Sequence, residues 1–124
     1  RVLLVEDNLI NQTVARKMLS GLGLLCEVAP NGLEAVRAGL HAGWSGACGY
    51  DVVLMDMMMP VMGGVDATRA IRKLGARVPI LAMTANASDK DRDECRAAGM
   101  DGFLSKPVLK DRLADAISQV GRGQ

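Results

Sequence analysis

The side chains able to do chemistry in this chain stand directly after short apolar runs. Glu6 and Asp7 follow Val2 to Val5, Asp56 follows Val52 to Met55, and Thr84 follows Val78 to Met83. Ser105, Lys106 and Pro107 follow Gly102 to Leu104. Three carboxylates gathered at one place repel one another, and a hard divalent cation with oxygen ligands relieves that repulsion; Mg2+ is the default choice. A hydroxyl and an ammonium on neighbouring elements add to the set. Metal, ammonium and a neutral donor together meet the needs of a phosphoryl group in transfer, whose negative charge is spread over several oxygens. Taken singly, each residue has a plainer role, with Asp7 and Asn8 as caps of a first helix and Asp56 as a partner for loop amides.

The elements that must position these groups are legible as an alternation. The apolar runs Val2 to Val5, Leu24 to Ala29, Val52 to Met55, Val78 to Met83 and Gly102 to Leu104 each have the length of a strand buried on both faces. Between them Ile10, Val14, Met18 and Leu22 step by four, and Leu33, Val36 and Leu40 recur at helical spacing. Ala67, Ile71 and Leu74 do the same, as do Leu109, Leu113, Ile117 and Val120, while a fourth helix near 87–98 is more polar. Asn31 with Glu34 forms a capping-box pattern, Ser88 can cap the fourth helix, and Gly21 and Gly23 end the first. Five βα units joined by right-handed crossovers make an α/β fold, a doubly wound parallel sheet with helices on both faces. In such sheets ligands bind beyond the carboxyl ends of the strands. From His41 to Gly49 the glycine-rich sequence has no period and reads as a loop carrying Trp44.

Composition removes several classes of function. A chain of 124 residues, 49% hydrophobic and 23% charged, suits one core. A formal charge of +1 and one residue each of Trp, Tyr and Phe leave neither a basic surface nor stacking platforms, so no nucleic-acid binding is expected. Cys26, Cys48 and Cys95 are odd in number and widely spaced, which fits a reducing compartment and no cysteine metal site. His41 is the sole histidine, which disfavours Ser-His-Asp or Cys-His catalysis. No apolar run approaches the ~18 residues of a membrane span, so direct membrane contact is not expected. The opening at Arg1, without an initiator Met, reads as an excised fragment.

The stretches VLLVEDNLINQ, MDMMMPVMGG, MTANA and AAGMDGFLSKPV resemble the receiver domain of two-component response regulators, most of all receivers attached to hybrid sensor histidine kinases. The resemblance covers essentially the whole chain. It implies a flavodoxin-like fold of strand order 2-1-3-4-5 and a receiver domain over residues 1–124 that is part of a larger signalling protein. It further implies that Asp56 is the phospho-acceptor, that Glu6, Asp7 and Asp56 bind Mg2+ with the Met58 backbone carbonyl, and that Thr84 and Lys106 contact the phosphoryl oxygens. Phe103 would be the switch aromatic, and the Lys106–Pro107 peptide would be cis. The implied donor is a phosphohistidine on a histidine kinase dimerisation domain or a histidine phosphotransfer protein, in the cytoplasm even where the parent kinase is membrane-anchored. A transient homodimer is compatible with it.

Elementary chemistry agrees, since a carboxylate is already ionised at pH 7 and attacks phosphorus without a general base. The domain would then catalyse Mg2+-dependent transfer to its own Asp56. Two departures stand out: Gly63-Gly64 where Asp-Gly or Pro-Gly is usual, and the long 41–49 connection. An aspartyl phosphatase would need a second Asp where Met58 stands, and nucleotide folds would need a glycine-rich loop where Glu6-Asp7-Asn8 stands. The remaining rival is a phosphorylation-independent interaction module built on the same fold. For partner docking the sequence offers Ile10, nearest the site on the first helix, and the loop carrying Pro60, Val61 and Met62, whereas Met58 and Asn86 flank the site without supplying a base.

Overall fold

The computed structural model describes residues 1–42, 50–57, 62–85 and 88–122. Strands β1 (Val2–Val5), β2 (Cys26–Ala29), β3 (Val52–Asp56), β4 (Ile80–Thr84) and β5 (Gly102–Ser105) alternate with helices α1 (Leu9–Gly21), α2 (Gly32–Ala42), α3 (Gly64–Lys73), α4 (Asp89–Ala98) and α5 (Lys110–Arg122). All strand pairings are parallel, and the order is β2-β1-β3-β4-β5, the doubly wound arrangement expected.

Side chains alternate across the sheet, and the two cores follow from that period of two. Leu3, Val5, Val53, Met55, Ile80 and Ala82 meet Ala35, Ala67, Ile71 and Cys95 of α2, α3 and α4. Val2, Leu4, Val52, Leu54, Leu81, Met83 and Leu104 meet Leu19 of α1 and Leu113 of α5. The three inner strands are therefore apolar up to Asp56 and Thr84 at the ends of β3 and β4, because both of their faces are covered.

Several boundaries differ from the periodic reading, each for a local reason. β2 begins at Cys26 because Gly23 N–H and Leu24 N–H donate back to Ser20 O (3.0 Å) and Leu19 O (3.0 Å), prolonging the turn after α1. Gly23, at φ +78°, takes the left-handed conformation that this turn needs. β4 begins at Ile80 because the Val78 carbonyl accepts from Arg72 Nη1 at 2.8 Å instead of joining a ladder. α2 runs past Gly39 to Ala42, so His41 and Ala42 belong to a helix and not to the loop; the good helix formers Leu40 and Ala42 carry it on to Gly43. Residues 43–49, with Trp44, lie outside the described residues. Leu109 stands before α5 and is 55% exposed, its carbonyl accepting from Leu113 N–H at 2.9 Å.

The stripe on α1 faces the core only in part. A step of four residues turns a helix by roughly 40° beyond a full circle, so the row Ile10, Val14, Met18, Leu22 spirals around the axis. Ile10 is 74% exposed and Val14 48%, whereas Met18 and Leu22 pack against the core with Ala15 and Leu19.

At the amino ends of the strands, opposite the carboxylates, one side chain joins three segments. Arg72 Nε and Nη2 donate to Gly99 O (3.0 and 2.8 Å), Nη1 donates to Ala76 O and Val78 O (3.1 and 2.8 Å), and Nη2 also donates to Asp101 Oδ2 at 3.0 Å. Asp101 Oδ2 in turn accepts from Ile80 N–H at 2.8 Å, fixing the start of β4. All five guanidinium N–H groups are thus used. Arg72→Met keeps the apolar stem and leaves those partly buried carbonyls without donors. We expect it to lower the unfolding free energy by about 3 kcal/mol in urea titrations, with Arg72→Lys recovering only part. A loss below about 1 kcal/mol would show that water replaces the guanidinium adequately.

Candidate functional site

Register assembles the site. Val5 pairs with Met55 between β1 and β3, so Glu6, one residue beyond β1, comes beside Asp56 at the end of β3. Thr84 ends β4 opposite Ser105 of β5, and Lys106 follows, its N–H donating to Thr84 O at 2.8 Å. The Lys106–Pro107 peptide is cis, as expected. Four strands therefore deliver Glu6, Asp56, Thr84 and Lys106 to one edge of the sheet.

The local contacts fix the carboxylates in place. Glu6 N–H donates to Ala29 O of β2 at 3.0 Å, and its carboxylate accepts from Asn8 N–H at 3.2 Å. Gln12 Nε2 donates to Glu6 O at 2.7 Å, tying α1 to the end of β1. Asn8 caps that helix, its Oδ1 accepting from Asn11 N–H at 3.0 Å. Glu6 and Asp56 are buried while Asp7 is exposed, and one oxygen of each lies within 4.8 Å of the others. Lys106 Nζ donates to Asp56 Oδ1 at 2.9 Å and stands 3.6 Å from Glu6 Oε1.

One ammonium does not balance three carboxylates. Burial first, and then a hydrogen bond to Asp56, push the Glu6 carboxyl from an ordinary 4.5 up to about 7. For Lys106, burial works against its charge, but the hydrogen bond and attraction of Asp56, followed by Glu6, hold the ammonium above its usual value. An all-oxygen donor set of excess negative charge, two members of it buried, fits a hard divalent cation, with Glu6, Asp7 and Asp56 as its side-chain ligands. Met58, the expected backbone ligand, lies outside the described residues, as do Pro60, Val61 and Asn86.

Of the Gly63-Gly64 pair, the second glycine is the one that close packing requires. A Cβ there would stand 2.7 Å from the Asp56 carbonyl, so α3 begins against the backbone of the site itself. Gly63 occupies the N-cap of α3 and offers no side-chain bond. Met62 is half-buried, and its carbonyl accepts from Gly32 N–H at 3.1 Å, which anchors the end of that loop to α2. Phe103 is half-buried beside the α2–α4 core, and Ile10 projects into solvent.

Sequence reasoning missed two groups of residues. Arg72 and Asp101 carried no motif that marked them. Arg92 and Arg96 of α4, whose guanidinium carbons stand 5.6 and 5.7 Å from the centroid of the Phe103 ring, were visible only as a polar helix.

Comparison with known proteins agrees with this geometry. The response regulator receiver domain profile matches residues 2–118. The chain is 40% identical, over 99% of its length, to probable histidine kinase 2 of Oryza sativa subsp. indica, and spans 13% of that protein. It superposes with a TM-score of 0.83 on the receiver domain of the sensor histidine kinase PA1611 of Pseudomonas aeruginosa PAO1, at 42% identity over 95% of this chain and 93% of that one. That domain was crystallised with a magnesium ion coordinated in its active-site cleft. The receiver domain of Ssk1 from Saccharomyces cerevisiae, solved with the histidine phosphotransfer protein Ypd1, gives a TM-score of 0.86 at 32% identity over 98% of this chain and 88% of that one.

The raised Glu6 value has a pH consequence. Between about 4.5 and about 7 the folded chain holds a proton at Glu6 that the unfolded chain has released, so this group withdraws stability as pH rises through that window. A cation that displaces the proton works against a smaller proton penalty at higher pH. The unfolding midpoint should therefore rise more on adding a divalent cation at about pH 8 than at about pH 5.5. Glu6→Gln should remove most of that difference, and equal increments at both pH values in the unaltered chain would contradict proton-for-cation exchange at Glu6.

Proposed function

The chain belongs to the response regulator receiver domain family, and from that premise we propose that Asp56 is the phospho-acceptor of a two-component phosphorelay. The observation that carries this reading is the 2.9 Å contact between Lys106 Nζ and Asp56 Oδ1 within a cluster of three carboxylates. Asp56 is the carboxylate that ends a central strand, is buried, and touches both the ammonium and the other acids.

Transfer then follows from the residues present. A carboxylate oxygen of Asp56 attacks the phosphorus of a phosphohistidine in line, forming an O–P bond as the N–P bond breaks. The electron pair of the broken bond returns to the imidazole nitrogen of the donor. Lys106 turns its ammonium to the phosphoryl oxygens, and Thr84, at the end of β4, supplies a neutral hydroxyl donor. Glu6, Asp7, Asp56 and the Met58 carbonyl would hold Mg2+, which when bound neutralises charge shared by the carboxylates and the phosphoryl group. The product is a mixed anhydride of carboxylic and phosphoric acids, labile to water and hence reversible as a signal.

The likeness to histidine kinases supports a cytoplasmic receiver covering residues 1–124 of a longer signalling protein, phosphorylated by a kinase dimerisation domain or a phosphotransfer protein. Among the described residues no helix is long and apolar enough to cross a membrane. Docking of the donor's helical bundle falls to the exposed end of α1. Leu9 and Ile10 are 76% and 74% exposed there, one turn from Asn8 and Glu6, with the loop of Pro60, Val61 and Met62 as a second contact. A transient interface of modest area can take most of its energy from one such central apolar side chain.

Two experiments test these assignments. Incubation with acetyl phosphate should label the chain only when Mg2+ is present, and Asp56→Asn should abolish the label. Undiminished, Mg2+-independent labelling of that variant would overturn Asp56 as the acceptor, and an unaltered chain that takes no label would favour the interaction module. Ile10→Asp should slow transfer from a phosphohistidine donor about tenfold or more, a change of roughly 1.4 kcal/mol or more, while leaving acetyl phosphate labelling nearly unchanged. Equal loss with both donors would place the damage in the site, and no loss with either would move the docking surface off α1.

A further inference from the structure

Phe103 is the sole phenylalanine of the chain and lies on β5, an edge strand of the sheet. Its ring is half-buried against the core that α4 helps to close. Two guanidinium groups of α4 stand over it, Arg92 Cζ at 5.6 Å and Arg96 Cζ at 5.7 Å from the ring centroid. The two arginines are four residues apart and so project from the same side of the helix. Both are exposed. Among the described residues neither forms an ion pair, although Asp89, Asp93 and Glu94 share the helix with them.

We infer that Arg92 and Arg96 latch Phe103 in its present position and so oppose the rearrangement that phosphorylation of Asp56 drives. This rests on the proposed reading of Phe103 as the aromatic that moves when the site is phosphorylated. The face of an aromatic ring carries negative potential, and a cation over it stabilises whichever ring position keeps the contact. At exposed sites each such contact multiplies the population of the latched state roughly two- to fivefold, and the pair roughly five- to twenty-five-fold. A ligand that binds only the rearranged state loses apparent affinity by the same factor. The helix bearing the latch is lightly held, since its buried side chains are Cys95 and Ala98. Ring and helix are therefore coupled: the arginines restrain the ring, and the ring restrains the outer edge of α4.

The sole phenylalanine makes the test direct. Ring-13C phenylalanine labels position 103 alone, and its NMR signal is followed while Mg2+ and beryllofluoride, a mimic of the phosphoryl group on a carboxylate, are titrated in. In the unaltered chain the ring signal should move to a second position at saturation. In the double variant Arg92→Gln with Arg96→Gln, the signal of the free protein should already be displaced toward that position. Half-saturation should then fall at a roughly five- to twenty-five-fold lower beryllofluoride concentration. Arg92→Gln alone should give about half of that effect on a logarithmic scale, and the double change to Lys should restore most of the original behaviour. Lys90→Gln, which removes a cation of the same helix that is not over the ring, should change neither quantity. A double variant with the free ring signal and half-saturation point of the unaltered chain overturns the latch while leaving the reading of the site intact. A ring signal in the unaltered chain that does not move at saturation overturns the role of Phe103 and the latch with it.

Discussion

Two buried carboxylates side by side at the edge of a sheet, with one ammonium among the described residues between them, set the terms for the rest of this molecule. Glu6 and Asp56 come together because β1 and β3 are neighbours in register, and they are buried because helices cover both faces of those strands. Such a pair persists only with compensating charge. Lys106, at the end of β5, supplies part of it across the intervening strand β4. Burial first, and then the hydrogen bond to Asp56, leave the Glu6 carboxyl raised to about 7. A site with this excess of negative charge suits a hard divalent cation, and on the proposed reading a phosphoryl group as well.

The two ends of the sheet are held differently. At the amino ends of the strands Arg72 closes every donor onto the turn after α3, the start of β4 and the end of α4. Gly99, at φ +107°, carries the carbonyl that two of those donors share. At the carboxyl ends, α4 begins at the Ser88 cap and is attached by few buried side chains. Its C-terminal end is thus the fixed point, and its N-terminal end adjoins the strand carrying Thr84. On the proposed reading, a change in charge at Asp56 would meet a well-bonded base and a less buried rim, the division of stiffness that a switch requires.

Much of this was legible in the sequence, and the limits are physical. Strands buried on both faces advertise themselves as apolar runs, so the alternation, the parallel sheet and the residues at its carboxyl edge could all be read. The caps at Asn31 and Ser88 were legible for the same reason, since only a few side chains bond helix N-termini: Asn31 Oδ1 accepts from Glu34 N–H at 2.9 Å and Ser88 Oγ from Asp91 N–H at 3.2 Å. The reciprocal half of the box is not made, because Glu34 turns to Arg37 instead. At α1 the four-residue step wanders from solvent into the core between Ile10 and Leu22, which leaves Ile10 exposed as the docking reading needs. Arg72 stayed hidden because a guanidinium serving backbone carbonyls looks, in sequence, like any surface arginine. The contact of Arg92 and Arg96 with Phe103 joins a helix to the strand that follows it, and only the packing of α4 reveals it.

The decisive property of the site is which oxygen carries the phosphoryl group. Borohydride reduces a carboxylic-phosphoric anhydride to an alcohol and leaves free carboxylates and phosphate esters untouched. After phosphorylation in Mg2+, reduction followed by peptide sequencing should find homoserine at position 56 and an unaltered residue at positions 6 and 7. A reduced side chain at position 6 or 7 would contradict the account, as would phosphate that survives reduction as an ester on Thr84 or Ser105.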